Sequence, residues 1–314
     1  MIGYLGKRLL YSIPVLLGVL VVSFLIVRLI PGDPVQLMLG INATPENVAR
    51  VQEDLGLDQP ILAQLGTFFV NAFTLDFGDS IVKQAPVREV IGSRIMPSIY
   101  LILASVLVAL VLALPLGVLS AVKRNRASDH VVRLLTMVTF AMPSFWLGLM
   151  LALLISLKLG LLPVSGYGEG IVGVLKSLTL PALTLGLYLA PILIRTLRAS
   201  LIEALHTEYV EAARSRGFSG ARVVGKHALR NSLIPLITVL SINVGFLISG
   251  TVVVENVFQI PGLGALLVQS VLTRDYPVIQ ALVLVFGVMV IVINLLSDLT
   301  YTLVDPRIRM EARA

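Results

Sequence analysis

The chain has 314 residues, of which 57% are hydrophobic and 13% are charged, and its mean hydropathy is +0.94. Soluble globular domains carry about 25% charged residues, so this composition is typical of a protein embedded in a lipid bilayer. Cysteine is absent, and His130, His206 and His227 are far apart, which excludes a disulfide framework, a cysteine nucleophile and the common zinc-binding spacings. We therefore expect no cofactor, metal or catalytic residue in this chain.

Six stretches without Asp, Glu, Lys or Arg follow one another along the chain. Each has the roughly 18–20 residues that a helix needs to cross a hydrocarbon core of about 30 Å. Backbone groups in lipid must be satisfied within the span, so we predict an all-α membrane protein with six transmembrane helices. The predicted spans are Leu9–Val27, Ile95–Val122, Leu134–Leu157, Ser177–Ile194, Asn231–Val254 and Tyr276–Ser297.

The first stretch follows Lys7 and Arg8, which is also the arrangement of a secretory signal peptide. Its apolar run is longer than the usual 7–15 residues, and Pro31-Gly32-Asp33-Pro34 follows it in place of an Ala-x-Ala cleavage site. We therefore expect a retained membrane anchor, with a cleaved signal peptide as the alternative.

The distribution of Lys and Arg among the connections predicts the orientation in the membrane. If the N-terminus is cytoplasmic, the inside segments hold sixteen of the 24 basic residues and the outside segments hold seven, with Arg28 at the end of the first span. Both termini are therefore expected in the cytoplasm. The net charge of +6 reflects this asymmetry, so we do not expect binding to nucleic acid.

The long connection after the first span is predicted to lie outside the membrane and is acidic. Thr44 followed by Pro45 is typical of a helix start, and Gly56 is suited to end that helix. We expect a small external helical cap, with a solvated loop as the alternative. The predicted organisation is an N-terminal segment with the first span (1–30), the cap (31–94), and a core of five further spans (95–314) that contains a long inner loop (195–230).

That inner loop has the pattern of an amphipathic helix, because residues of one face recur every three or four positions at Leu201, Leu205, Tyr209 and Ala212. Gly217 is suited to close this helix, and Ser219 is suited to begin a second, short one. Such a helix can rest on lipid headgroups or dock to a protein. The small side chains of Ala212 and Ala213 permit close approach of a protein.

Charge also distinguishes these two partners. Glu208 and Glu211 place negative charge where an anionic leaflet would repel it. We therefore favour a protein partner, and lipid contact stays the alternative.

The same loop resembles the Glu-Ala-Ala loop of binding-protein-dependent ABC importer permeases, through Glu211-Ala212-Ala213, three residues and Gly217. In that family the loop forms a cytoplasmic coupling helix that sits in a cleft of the ATPase. The general family pattern continues with Ile and then Leu-Pro, where this chain has His227 and Leu229-Arg230. The segment His227–Pro235 instead resembles the variant found in dipeptide, oligopeptide, nickel and glutathione permeases.

Further strings extend the resemblance to this group, in the same order, over nearly the whole chain. They are Ile30–Pro34, Leu55–Pro60, Asp76–Ser80, Met142–Gly148, Leu162–Tyr167, Val254–Phe258, Pro261–Gly264, Arg274–Gln280 and Asp305–Arg309. The resemblance implies a type I ABC importer permease fold in the inner membrane of a bacterium or archaeon. It also implies the B-type subunit of an importer for a peptide-class substrate.

The resemblance implies partners and coupling residues as well. The expected partners are a second, homologous permease subunit in a heterodimer, an external substrate-binding protein, and two ABC ATPase subunits that bind ATP and Mg. The residues implied in coupling to the ATPases are Glu211, Ala212, Ala213, Gly217, His227, Arg230 and Asn231. Di- or oligopeptides are the favoured substrates, with glutathione and nickel chelates as alternatives.

The fifth predicted span continues from this loop, so its polar residues are candidates for the translocation path: Ser241, Asn243, Thr251 and Glu255. Packing between helices is the alternative role for such residues.

A stand-alone channel or secondary transporter would call for charges within the spans or repeated halves, and an intramembrane enzyme for a dyad or paired carboxylates. The six stretches offer none of these. The segment Gly220–His227 is near a nucleotide-binding loop but lacks its hydroxyl and its preceding strand, so we expect no nucleotide site.

Overall fold

A computed structural model describes residues 2–29, 35–36, 43–54 and 58–304. Over these ranges the chain is mostly helical, as the composition predicts. Of the strings that resemble the permease family, 30–34 and 305–309 and part of Leu55–Pro60 lie outside the described residues, as does Gly56.

The helices are bounded as follows: α1 (Ile2–Leu29), α2 (Pro45–Asp54), α3 (Ile61–Thr74), α4 (Val87–Val122), α5 (Ala127–Ala141), α6 (Ser144–Leu151), α7 (Gly170–Ala204), α8 (Glu208–Ser215), α9 (Gly220–Arg222), α10 (Leu229–Phe258), α11 (Leu263–Thr273) and α12 (Tyr276–Val304). Two π-helical segments, Ala152–Lys158 and Val223–Ala228, follow α6 and α9. A short antiparallel hairpin pairs β1 (Asp79–Ser80) with β2 (Ala85–Pro86), Asp79 lying opposite Pro86.

Four helices in the described part of the chain are long and apolar enough to cross a membrane: Val87–Val122, Gly170–Ala204, Gly220–Phe258 and Tyr276–Ser297. A fifth crossing results if the bent pair Ala127–Ala141 and Ser144–Lys158 counts as one span. The first predicted span, Leu9–Val27, lies within the continuous helix α1. Over the described residues the structure therefore has four or five candidate spans, and the count of six stays a prediction.

The third predicted span, Leu134–Leu157, is wrong as a continuous helix. The two helices that share it meet at an angle of 106°. Pro143 causes the break, because proline has no backbone N–H and drives the preceding residue out of the α region. Met142 accordingly adopts φ −85° and ψ 129°, and α6 starts afresh at Ser144.

The predicted helix start after the first span is confirmed. α2 begins at Pro45, and Asn47 donates its backbone N–H to Thr44 Oγ1 at 3.3 Å. This is the bond that an N-cap threonine supplies to an unpaired donor of the first turn. The predicted domain boundaries stay predictions, while backbone contacts divide the chain into two compact units.

The first unit comprises Met1–Ser98 and Pro261–Val292. One of its apolar clusters joins the start of α4 to α11 and α12 through Val87, Ile91, Leu263, Leu266, Val278, Ala281 and Leu282. Two hydroxyl groups form further hydrogen bonds within this unit. Leu263 donates its N–H to Ser98 Oγ at 2.8 Å, and Ser80 donates to the buried carboxylate of Asp275, which directly precedes α12.

The second unit comprises Ile99–Ile260 and Ile293–Ala314, and α7 is its central helix. The side chains of Leu185, Leu193, Leu197 and Leu201 are fully buried in it. A helix that is apolar around its whole circumference is stable only when other helices surround it. α7 packs against α10, α5 and α6.

Glycine allows α4 to approach α7 closely. A Cβ atom at Gly186 would lie 2.5 Å from Val108 Cγ1 and 3.1 Å from the carbonyl oxygen of Ser105. We expect Gly186→Ala to lower the free energy of unfolding by about 1–3 kcal/mol, as overpacking does elsewhere. The melting temperature of the purified protein measures this effect.

Gly245→Ala is the matched control, because Gly245 also lies inside a long helix and has open space around its Cβ position. Both substitutions gain the same helix propensity, so only the contact differs. Equal melting temperatures for the two variants would contradict a tight crossing at Gly186.

Candidate coupling surface

The inner loop 195–230 begins as a continuation of the central helix. α7 runs without interruption to Ala204, and α8 follows from Glu208 to Ser215. The prediction of one amphipathic helix through this region is therefore wrong. Thr207 has extended backbone, φ −85° and ψ 151°, and separates the two helices. Its hydroxyl donates to Ala204 O at 2.6 Å and so pairs a carbonyl at the end of α7.

A small apolar core holds α8 in place. It consists of Ala121 at the end of α4, Leu201 and Ala204 of α7, Val210 and Ala213 of α8, and Val223 and Ala228 of the returning segment. The predicted apolar face is corrected here, because Tyr209 and Ala212 lie on the surface while Val210 and Ala213 are buried. Of the two alanines that we expected a partner to contact, Ala212 is exposed and Ala213 packs inside this chain.

The prediction that Gly217 closes the helix is confirmed. Gly217 adopts φ +80°, which favours glycine, and donates its N–H to Arg214 O at 2.9 Å. Phe218 donates its N–H to Ala213 O at 3.3 Å. These two bonds form a Schellman motif, which pairs the last carbonyls of α8 and sets the direction in which the chain leaves it.

The segment that returns towards α10 is held by side-chain contacts. Phe218 stacks on His227 with 5.6 Å between ring centroids, and the Arg222 guanidinium lies 5.0 Å from the centre of the Phe218 ring. The Asn231 amide donates to the Tyr209 hydroxyl at 2.9 Å. His227 and Asn231, both implied in coupling by the resemblance, therefore also stabilise the shape of the loop.

Two other predicted residues of this segment have simple surroundings. Arg230 is exposed at the start of α10. Ser219 precedes α9, as predicted, but its side chain makes no capping hydrogen bond there.

The outward face of α8 carries Glu208, Glu211, Ala212 and Ser215, all of them exposed. The two glutamates lie in the first turn, where the partial positive charge of a helix N-terminus stabilises carboxylates. Arg214 lies in the last turn. A small residue between separated charges of both signs suits contact with a protein surface better than contact with an anionic leaflet.

A buried ion pair that no sequence pattern predicted supports this loop. The Asp129 carboxylate has no exposed surface, and Arg198 donates to it twice, from Nε and Nη2, each at 2.8 Å. Ser120 donates its hydroxyl to the same carboxylate, and Asn125 donates its N–H at 2.9 Å. The end of α4, the following turn and the start of α5 are thereby joined to the part of α7 with which the inner loop begins.

One feature of the sequence indicates the ion pair of Asp129, once the structure is known. Asp129 is the single acidic residue in the basic segment Lys123–Arg133. Isolated acids in such segments are candidates for structural ion pairs, because a buried charge must be paired. Nothing in the sequence distinguishes Arg198 from the other basic residues of the inner loop.

The four candidate path residues share α10. Thr251 and Glu255 are buried in the second unit, and the Thr251 hydroxyl donates to Ile248 O at 2.7 Å. The Asn243 amide donates to Val239 O of its own helix at 2.7 Å, and Ser241 is half-buried. Their part in a translocation path stays a prediction.

Comparison with known families places the chain. Residues 113–310 match the family described as "Binding-protein-dependent transport system inner membrane component". Residues 1–101 match the family described as "Binding-prot-dependent transport system membrane comp, N-term". The first of these matches contains the whole inner loop.

Among curated proteins, the chain is similar to "Glutathione transport system permease protein GsiC" of Salmonella choleraesuis (strain SC-B67), with 42% identity over 98% of this chain and 99% of the relative. The protein of the same name in Escherichia coli (strain K12) is 41% identical over the same shares. Among solved structures, the inward-facing MetNI methionine ABC transporter aligns with a TM-score of 0.58 and 19% identity over 69% of this chain and 96% of that one, which supports the fold alone. The chain therefore belongs to the family of inner-membrane components of binding-protein-dependent transport systems, the permeases of ABC importers.

Proposed function

We propose that this chain is one of two membrane-spanning subunits of an ATP-driven importer and that the exposed face of α8 docks to an ATPase subunit. The proposal depends on one observation, namely how α8 is attached to the rest of the chain. Its outer face is free of contacts within the core, while Val210 and Ala213 bind it to the ends of the long helices α4 and α7 and to the segment before α10. A force applied to α8 therefore reaches three candidate spans without an intervening flexible linker.

The proposed mechanism is a rigid-body switch between two states. ATP and Mg bind to the partner ATPases, whose closure moves the two coupling helices of the heterodimer towards each other. α7 and α10 then transmit the movement to the membrane-spanning helices, so that the translocation path alternates between inward- and outward-facing states. Coupling of this kind is a free-energy difference between two global arrangements, and each ATPase state must favour one of them.

The orientation with six spans and both termini in the cytoplasm belongs to the same proposal. Two segments assigned to the inside, 123–133 and 195–230, are joined by Asp129 and Arg198. Two segments assigned to the outside, the hairpin after α3 and the turn before α12, are joined by Ser80 and Asp275. Each contact links segments of one predicted side, which supports the assignment.

The proposed substrate is a peptide-class compound delivered by an external binding protein. Relatives that match over almost the whole chain are named for glutathione transport, so glutathione is the first compound to test. Dipeptides, an oligopeptide and a nickel chelate are the comparison substrates, since permeases of the resembling group serve these compounds.

Uptake into proteoliposomes tests this proposal. We expect the chain, reconstituted with its second permease subunit and two ATPases, to import a peptide-class compound only when ATP and the binding protein are both supplied. Liposomes that lack the ATPases are the control, and they should show no uptake. Import by this chain alone, without ATP, would overturn the proposal and favour a channel or secondary transporter.

A further inference from the structure

Helix α3, Ile61–Thr74, is apolar on both of its faces, although it lies in the connection that we predicted to be an external cap. Between Asp58 and Asp76 the sequence contains no charged residue. Helices of 10–14 apolar residues are too short to cross a bilayer and are typical of buried or interfacial segments. The surroundings of α3 distinguish these two cases.

The inner face of α3 packs against the middle of α1 and against α12. The buried residues of this cluster are Leu20 and Phe24 of α1, Phe68 and Ala72 of α3, and Leu284 of α12. The ring centroids of Phe24 and Phe68 are 5.8 Å apart. α1 and α12 also contact each other directly, because the Ser23 hydroxyl donates to Gln280 O at 3.1 Å.

The positions of these partners along their helices place α3 below the membrane surface. Leu20 precedes Arg28, the first charge after the span, by eight residues, which corresponds to about 12 Å along the helix axis. Leu284 follows Asp275, the last charge before its span, by nine residues, or about 13 Å. Both distances fall within the outer half of a hydrocarbon core that is about 30 Å thick.

The outer face of α3 is exposed and carries large apolar side chains. Leu62 is 79% exposed, Val70 is 61% exposed and Phe73 is 69% exposed. A helix that faces water normally carries charged or polar residues on that side, and this face has none that is charged. The α1 residues Leu17 and Val21 are likewise exposed and apolar.

Several polar groups at the C-terminal end of α3 are paired within the segment, as lipid requires. The Thr74 hydroxyl donates to Val70 O at 3.0 Å, and the N–H groups of Leu75 and Asp76 both donate to Asn71 O. At this end of the helix, fewer polar groups therefore need a hydrogen bond from water.

We propose that α3 lies in the outer leaflet of the membrane and that lipid acyl chains cover its face formed by Leu62, Val70 and Phe73. This inference rests on the proposed function in one respect, namely that α1 and α12 span the membrane. Of the described residues of the predicted cap, α2 and the hairpin are then the elements that face water. At the depth of the acyl chains, α3 packs against both α1 and α12 and stabilises their contact.

Thiol labelling tests the location, and the absence of cysteine from the chain makes each introduced thiol unique in it. The test variants are Val70→Cys and Phe73→Cys, and the controls are Asp58→Cys and Lys83→Cys, whose positions are exposed and charged. Intact cells with the complete transporter are treated with a membrane-impermeant maleimide, and labelling of this chain is measured after separation on a denaturing gel. We expect labelling at the two test positions to be at least roughly tenfold slower than at the controls, because a thiol in lipid does not ionise.

Labelling of all four variants after denaturation confirms that each thiol is present. Equal labelling of test and control positions in cells would overturn the inference and leave the proposed function intact. Failure of both controls to react from outside would instead contradict the orientation on which the proposed function depends.

Photo-crosslinking identifies what covers the face. A benzophenone side chain at position 73 is irradiated in membranes that contain the complete transporter. We expect adducts of phospholipid mass on this chain. Adducts with the binding protein or with the second permease subunit, in place of lipid, would show that a protein covers α3 and would also overturn the inference.

Discussion

Replacing Arg198 with Met is expected to lower the free energy of unfolding by up to about 3–5 kcal/mol, the usual cost of removing the main partner of a buried charge. Asp129 has no exposed surface, and Arg198 provides two of the four hydrogen bonds that reach its carboxylate directly. Ser120 and Asn125 would remain as neutral donors. Arg133 would remain as a second cation, but its Nε lies 3.8 Å from the carboxylate and its side chain is 43% exposed, so it balances the charge only in part. Thermal unfolding of the purified transporter, followed by loss of the monodisperse complex, measures the change.

Two further variants show whether the charge causes this loss. The double substitution Asp129→Asn with Arg198→Met removes both charges and should recover most of the stability, since neutral replacement of a buried pair is often tolerated. Arg195→Met removes an exposed arginine from the same helix. The guanidinium of Arg195 lies 5.0 Å from the centre of the Phe140 ring. We expect a loss of at most about 1 kcal/mol there. Similar losses for Arg195→Met and Arg198→Met would show that the ion pair has no special role.

Replacing Ala212 with Trp is expected to weaken ATPase binding roughly ten- to hundredfold while the chain still folds. Ala212 is exposed on α8 between Glu208 and Ser215, so an indole at this position points away from the chain's own core. In a packed interface the added volume costs about 1–3 kcal/mol, which weakens association roughly ten- to hundredfold. The measurements are the amount of ATPase that co-purifies and the ATP-dependent uptake in proteoliposomes.

Two other alanines provide the controls for the exposed face of α8. Ala127→Trp introduces the same side chain at an exposed position at the start of α5, on the same predicted side, and should leave both measurements unchanged. Ala213→Trp should instead prevent folding of the loop, because Ala213 is buried with Val210 and Leu201. Normal ATPase binding and uptake by Ala212→Trp would contradict the docking role of α8.

The long helices were predictable because each property that defines them is local in sequence. Freedom from charge over 18 or more residues marks α4, α7, α10 and α12, whatever those helices pack against. The start at Thr44 and the end at Gly217 were predictable for the same reason, since an N-cap hydroxyl and a left-handed glycine act within one helical turn.

The break in the third predicted span was not predictable from its proline. Pro14, Pro181 and Pro191 lie inside helices that continue through them, whereas Pro143 separates two helices. Proline permits a break at each of these positions, and after Pro143 the second helix packs closely against its neighbours: a Cβ atom at Gly148 would come within 3.1 Å of the Phe258 ring and 3.4 Å of Thr184. Sequence periodicity contains no information about that contact.

The position of the helix in the inner loop was predictable from the sequence, but the face that it turns to the core was not. The four-residue spacing through Leu205 and Tyr209 presupposes one continuous helix, and the extended backbone at Thr207 changes the rotation of everything after it. This is why Val210 and Ala213, and not Tyr209 and Ala212, face the core. The pair of Asp129 and Arg198 joins residues 69 positions apart, so only the folded chain reveals it.

The most direct test is a cross-link from α8 to the ATPase in the assembled transporter. The chain contains no cysteine, so Ala212→Cys provides one thiol in it on the exposed face of α8, to which a short thiol-specific photoreactive group is attached. We predict an adduct between this chain and an ATPase subunit, and no such adduct from Lys83→Cys on the opposite predicted side. Adducts of position 212 with lipid alone, in a transporter that retains its ATPases, would contradict a coupling role for this helix.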